Sequence, residues 1–357
     1  MDPGKLDIRL TCAAGRVAGV AIASSRASAA VLLQGLPVAR AAALLAQLFT
    51  LCGRAPGAAA AAARGVAREG GVSRHLDGAI AAEAAQEHLW RLLVDWPREL
   101  GLESAISVFA HWRRALAGDW QTLHESRFLD FLGGDLFVMA PDAWLGMTTA
   151  EDFSDWCFAA KGWAAQLCRQ LADEGKGEAL LPPVVQLPAL DSVAAGMDRP
   201  ELSQVFSERP TWQGLPAETG AYSRRQGDPL IRALAPQPLL ARLVARLQEL
   251  AALAVNDVAR PLPGTVAAQS LGGDRGRALV ETARGLLMHE LLVADGKVAR
   301  YVIVAPTEWN FHPEGALPSL LVGRYCATAL QAAALARRAV LTLDPCVAHE
   351  IAVDWQD

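Results

Sequence analysis

Two rhythms of apolar and polar positions divide this chain. Near its start, short β-prone runs over residues 8–10 and 17–22 flank Ala13-Ala14-Gly15-Arg16, which reads as a hairpin turn. After Gly35-Leu36-Pro37 the rhythm changes. Residues 38–49 are rich in Ala and Leu, and Pro37 suits the start of a helix. Gly53 ends that helix, and a second Ala-rich helix is predicted after Pro56-Gly57. From Leu76 to about Gln170 apolar residues recur at threes and fours, as in His88-Leu89-Trp90-Arg91-Leu92-Leu93 and across 153–171, the spacing of packed helices. Residues 181–236 are Pro-rich and read as irregular, and 238–259 return to helix. Strands over 278–282, 286–293 and 299–304 follow, the last two joined by Asp295-Gly296, a strong hairpin signal. A final helix is predicted over 317–340, leading to Asp344-Pro345-Cys346. The expected fold is α+β and α-rich, with short antiparallel β elements near both chain ends. One domain over 1–357 is expected, with an N-terminal part (1–60), a mainly helical body (76–260) and a C-terminal part (278–357).

Composition narrows the class. The 357 residues are 52% hydrophobic and 20% charged, an ordinary globular balance that buries about three quarters of the unfolded surface. A net charge of −5, from 33 basic and 38 acidic side chains, argues against a nucleic-acid binder working through a basic face. Only Lys5, Lys161, Lys176 and Lys297 are lysines, so nearly all positive charge is arginine, a residue suited to fixed hydrogen-bond forks. The opening MDPGKLDIRL lacks an apolar signal core, and the alanine-rich runs are broken well short of the ~20 residues of a membrane span. Cys12, Cys52, Cys157, Cys168, Cys326 and Cys346 form no C-x-x-C pair, which points to free thiols and a cytoplasmic location.

Four places carry candidate chemistry. Cys52 lies between a helix end and a helix start, beside Arg54, a setting that favours a thiolate. Arg54 would help keep it ionised, or is only a helix-end charge. Cys346 and His349 form a C-x-x-H spacing; on one helical turn they would share a face and converge on a soft metal. A lone cysteine is more commonly a small buried hydrophobe, the reading given to Cys157, Cys168 and Cys326. Arg284 sits in a strand–turn–strand segment, Glu281-Thr282-Ala283-Arg284-Gly285, where an arginine is ordinarily a solvated or snorkelling side chain. Pro306-Thr307-Glu308-Trp309-Asn310, directly after the last strand, would alone be a turn with a hydroxyl and an amide. His75, His88, His111, His124 and His289 show no metal spacing, and His312 stays open because it adjoins this last segment.

Taken together and in order, these segments resemble the large subunit of nickel–iron hydrogenases. That family holds a binuclear centre with an N-terminal C-G-x-C-x-x-x-H and a C-terminal D-P-C-x-x-C-x-x-H. An A-P-R-G hairpin and a P-[ST]-x-W-N segment line the site of the iron's cyanides. Cys52-Gly53, Thr282-Ala283-Arg284-Gly285, Pro306-Thr307-Glu308-Trp309-Asn310 and Asp344-Pro345-Cys346 match these collinearly. Gly214-Leu215-Pro216-Ala217-Glu218-Thr219-Gly220 resembles a G-x-P-x-E-x-G segment in the middle of those subunits. The departures decide the reading. Ala55 and Ala59 stand where the N-terminal motif has its second cysteine and its histidine. His349 and Ala352 stand where the C-terminal motif has its second cysteine and final histidine. The bridging thiolates of both pairs are therefore replaced. Thr11 falls where the family carries an acidic residue near its start.

The pattern is similar to that of the HupK/HoxV family of hydrogenase accessory proteins. The resemblance implies no hydrogenase activity and no nickel, and a scaffold on which an Fe(CN)2(CO) fragment is transiently assembled or held. Cys52 and Cys346, with His349 as a further donor, would bind the iron. Arg284 and Thr307 would hydrogen-bond the cyanides. Implied partners are the maturation chaperone and iron–cyanide assembly proteins upstream and the apo large subunit downstream, with no nucleic acid and no membrane. The alternatives are a metal-free mimic of the large subunit that engages chaperones, and a degenerate hydrogenase or hydrogen sensor.

Overall fold

The computed structural model describes residues 4–25, 29–48, 54–172, 184–196 and 202–356. Strands β1 (Lys5–Ala13) and β2 (Arg16–Ser24) form the expected hairpin, turned at Ala14 and Gly15, both at positive φ. Leu6, Ile8, Leu10 and Cys12 alternate inward on β1, so period-two patterning buries one face. Helix α1 (Val38–Leu48) is as predicted. Helix α2 (Arg54–Glu69) begins earlier than expected, before Pro56 rather than after it. Pro56 falls within the first turn, where a missing N–H costs no intrahelical bond. Strand β3 (Val72–Leu76), which the sequence did not signal, precedes α3 (Gly78–Trp90), capped by the Asp77 carboxylate on the Ala79 and Ile80 amides.

The helical spacing read over 153–171 belongs to two helices, Ala150–Ala159 and Trp163–Ala172. The break falls at Gly162, where a Cβ would lie 2.5 Å from the Leu136 carbonyl oxygen. Within 181–236, expected to be irregular, the described residues carry β4 (Val185–Gln186), β5 (Thr211–Trp212), β6 (Leu215–Glu218) and short helices including Ala221–Arg225. A strand added to the predicted meander, β7 (Thr265–Gly272), precedes β8 (Arg275–Thr282), β9 (Gly285–Ala294) and β10 (Lys297–Val304). The last predicted helix also splits, into Ala316–Leu321 and Ala329–Leu343, with Gly323 at φ 89° between them and Thr328 capping the second. Finally β11 (Ala348–Gln356), unforeseen, pairs with β1 in parallel. The terminal β elements are thus not wholly antiparallel: one sheet, β11-β1-β2, joins both chain ends.

The five-stranded sheet, ordered β10-β9-β8-β7-β3, carries α2 on one face. The alanine run of α2 has a packing cause. Ala55, Ala59 and Ala63 are fully buried, and a Cβ at Gly276 would lie 2.0 Å from the Ala63 carbonyl oxygen. Small residues on both sides let helix and sheet backbones touch. The helical body surrounds Pro238–Ala254, all 17 residues of which are buried. A helix buried all round is normally apolar throughout. This one carries Arg242, Arg246, Gln248 and Glu249, whose buried polar and charged groups require partners inside the protein. Among the described residues no helix is long and apolar enough to cross a membrane.

Candidate functional site

The segments singled out by their chemistry meet around the turn that ends the Ala329–Leu343 helix. Pro306 opens the short helix Pro306–Asn310, which places Thr307 in its first turn. The Cys346 amide donates to Thr307 Oγ1 at 3.2 Å, and Thr307 Oγ1 lies 3.1 Å from Cys346 Sγ. The hydroxyl oxygen accepts from that amide and keeps a second lone pair, so in the hydroxyl–sulfur contact either group can donate. Asn310 fastens the same corner. Its amide nitrogen donates to the Leu343 carbonyl at 3.2 Å, and its oxygen accepts from the Thr219 amide at 2.8 Å. Trp309 fills the core beneath. Every side chain that matched in this segment except Glu308 is therefore buried.

The β8–β9 hairpin packs against the Thr219-Gly220 segment. Thr219 Oγ1 accepts from the Leu286 amide at 2.9 Å. Gly285, at φ 127°, has no room for a side chain: a Cβ would meet Thr219 Cγ2 at 2.4 Å. Gly220, at φ 121°, faces the Arg284 carbonyl oxygen in the same way, at 3.2 Å. The two glycines let two loops cross closely, which fixes the direction of Arg284. Glu218, Thr219, Arg242, Arg284, Asn310 and Asp344 line a small polar recess there.

Asp344 is the electrostatic centre. It caps the helix in the left-handed region (φ 55°, ψ 65°), a conformation short polar residues tolerate, and it is 2% exposed. Arg91 Nε donates to Asp344 Oδ1 at 2.7 Å, and Arg246 Nη1 to Oδ2 at 2.9 Å. Arg284 Nε stands 3.4 Å from Oδ1. Burial alone would raise the pKa of this carboxyl, but the charges of Arg91, Arg284 and Arg246 more than offset that and hold it well below the usual carboxylate range. Arg284 also donates to Glu87 Oε2 at 2.5 Å. Burial pushes the Glu87 pKa up, opposed by Arg284.

A second buried chain of polar contacts runs from the same place. Arg246 Nη1 lies 3.2 Å from His88 Nδ1, and His88 Nε2 lies 3.1 Å from Glu249 Oε2. A guanidinium only donates, so Nδ1 accepts and the proton sits on Nε2: a neutral imidazole. Burial lowers the His88 pKa in agreement, despite the Glu249 hydrogen bond that raises it. Arg224 closes the network, donating to Glu249 at 2.5 and 2.9 Å and to Glu281 at 2.5 Å.

The predicted residues stand as follows. Thr307 and Cys346 are in direct contact, and Arg284 pairs with Asp344, two residues before Cys346. Cys52 lies outside the described residues. His349 departs from expectation: Cys346 occupies a bend and His349 is the second residue of β11, opposite Leu6. No helical turn joins them, so the shared-face argument for a ligand pair fails. The His349 ring is exposed, although desolvation and then the charge of Arg91 lower its pKa. Among the described residues, no three His, Cys, Asp or Glu side chains converge as a metal set. Cys157, Cys168 and Cys326 are buried, as expected, as is Cys12. His289 is buried with Nδ1 2.9 Å from the Tyr301 hydroxyl, and His312 accepts from the Glu314 amide.

Comparison with known proteins places this arrangement. Residues 206–351 match the family model described as nickel-dependent hydrogenase. The fold is that of the Ni-Fe-Se hydrogenase from Desulfovibrio vulgaris Hildenborough, with a TM-score of 0.56 at 15% identity and 94% of each chain covered. The hydrogenase expression/formation protein HoxV of Cupriavidus necator is 32% identical over 96% of this chain and 94% of its own. This chain belongs to the HupK/HoxV family. A further member, HupK of Rhizobium leguminosarum bv. viciae, is 30% identical over 87% of this chain and 85% of its own.

The contacts disclose what the motifs alone do not. Glu87, His88, Arg91, Arg246 and Glu249 form the surroundings of the matched segments, yet none belongs to one. The available signal was charge on apolar helices. Arg242, Arg246 and Glu249 share one face of a buried helix, as Glu83, Glu87 and Arg91 do on α3 and the π-turn Arg91–Asp95 that continues it.

Proposed function

We propose that this chain is a scaffold in hydrogenase maturation that holds an Fe(CN)2(CO) fragment and passes it to an apo large subunit. Cys52 and Cys346 supply thiolates to the iron, Arg284 hydrogen-bonds one cyanide nitrogen, and Thr307 donates to the other. The maturation chaperone and iron–cyanide assembly proteins deliver the fragment. The observation that carries the reading is the pairing of Cys346 with Thr307 beside the Arg284–Asp344 pair, in a chain with Ala55 and His349 where the hydrogenase motif has its bridging cysteines. Soft thiolate donors suit a low-spin iron. A dithiolate bridge to nickel lacks its sulfur atoms here, so hydrogen turnover is not the activity.

Weak ligation serves release. Each ~1.4 kcal/mol by which a four-cysteine acceptor outbinds this carrier favours transfer tenfold. The test is maturation in cells. Cys346→Ala and Cys52→Ala, each accumulating as folded protein, are expected to abolish formation of active hydrogenase. Full activity with both changes would instead support a metal-free mimic of the large subunit. One observation favours that second reading: Arg284 is already engaged by Glu87 and Asp344.

A further inference from the structure

Arg284 touches two carboxylates, and the two are held in different ways. Asp344 Oδ1 lies 3.4 Å from its Nε, and Glu87 Oε2 lies 2.5 Å from its Nη2. Asp344 is 2% exposed, caps the Ala329–Leu343 helix and also accepts from Arg91 and Arg246, so displacing it breaks several charge-assisted contacts at once. The Glu87 side chain is 17% exposed against 5% for Arg284, which puts it on the solvent side of the pair. Among the described residues, the Arg284 guanidinium is the single hydrogen-bond partner of the Glu87 carboxylate. Burial raises the Glu87 pKa in spite of Arg284, so the carboxylate is held in this position at a cost. It also has somewhere to go. The Arg91 amide donates to the Glu87 carbonyl, so Arg91 lies one helical turn along, and its charge already favours an ionised Glu87. A further anion added beside Arg284 would crowd a third negative charge against one buried guanidinium. Exchange for Glu87 avoids that, because one negative charge moves outward as another arrives.

We propose that Glu87 is a stand-in anion: it occupies the Arg284 guanidinium until a small linear anionic group ending in a nitrogen acceptor takes its place, and then swings away. The inference rests on the reading of Arg284 as the partner of a cyanide, and it accounts for the contact that otherwise favours a metal-free mimic. Thiocyanate is the probe, added at pH 8 to the full-length protein, reduced and without metal, with binding read from its infrared carbon–nitrogen stretch. Each variant is first shown to melt cooperatively. The natural protein is expected to bind weakly. Glu87→Gln is similar in shape and uncharged, and it is expected to bind about tenfold more tightly, because the probe no longer displaces a charge-assisted hydrogen bond. Combining Glu87→Gln with Arg284→Gln removes both members of the pair, leaves neither charge behind, and is expected to abolish the gain. Glu83→Gln removes a carboxylate one turn away that accepts from the Arg54 amide instead, and it is expected to bind as the natural protein does. Equal tightening in Glu83→Gln would assign the effect to the general charge of α3 and overturn the exchange. Unchanged affinity in Glu87→Gln, with binding still dependent on Arg284, overturns the stand-in and leaves Arg284 as an anion site. Binding indifferent to Arg284 overturns the stand-in and the reading of Arg284 together.

Discussion

The terminal sheet and the Asp344 corner use the same chemistry to opposite effect. On the sheet, Lys5 pairs with Glu350 at 2.7 Å and Arg9 with Asp354 at 3.1 Å, across the parallel β1–β11 register. The Arg9 and Asp354 side chains are 62% and 47% exposed, so water competes for both charges. At the corner, one carboxylate at 2% exposure meets three guanidinium groups from three separate elements. Neither distance nor charge separates the two cases. Burial does: an exposed pair is a minor contribution, whereas a buried one constrains whatever is attached to it. What is attached here is the turn carrying Cys346.

The contrast is broken most directly by Asp344→Asn. Removing one partner from a buried ionic cluster costs about 3–5 kcal/mol, and chemical denaturation is expected to show a loss of that size. The pH dependence follows the same sign. The Asp344 pKa is depressed in the folded protein, so its contribution is present above the ordinary value of 3.8 and lost as pH falls toward the folded one. Next in size is Gly285→Ala. The new Cβ has no space against Thr219 and a disfavoured φ, and a cost of about 1–3 kcal/mol is expected in thermal unfolding.

Glu83→Gln sharpens the comparison at intermediate burial. Desolvation, with a smaller push from Glu87, raises the Glu83 pKa to about 7 against the Arg54 amide that lowers it. A raised carboxyl pKa means that the stabilisation is complete below 4.5 and is lost as pH rises through 7. The glutamine variant is therefore expected to gain on the natural protein between pH 5 and pH 8, by an amount on the order of 1 kcal/mol. Parallel urea titrations at the two pH values check it. The smallest effect belongs to Arg9→Ala, expected to change stability by about 0.2–1 kcal/mol, and less at high salt.

Much of this molecule is legible in its sequence. The hairpin of β1 and β2, helix α1 and the β8–β10 meander follow from periodicity and turn residues, because each is decided locally. Strand β11 is not, since its pairing partner lies at the far end of the sequence and its short alternation resembles a tail. The breaks at Gly162 and near Gly323 are hidden by continuous apolar spacing, and only tertiary crowding or a positive φ explains them. At the site, Arg284, Thr307 and Cys346 are visible as motif residues. Their supporting charges are not, because Glu87, Arg91 and Arg246 sit on helices whose sequence alone does not reveal which polar positions face inward. The C-x-x-H spacing misleads for a related reason: spacing carries meaning only once the backbone is known, and this stretch is a bend running into a strand.

The central claim is that this corner carries a cyanide- and carbonyl-bearing iron, and infrared spectroscopy addresses it directly. The protein, purified without oxygen from cells producing a hydrogenase, is predicted to show cyanide and carbonyl stretches together with bound iron. Both are predicted to vanish in Cys346→Ala, and His349→Ala to leave them in place. A folded natural protein with neither bands nor iron, or a Cys346→Ala variant with an unchanged spectrum, would contradict the account.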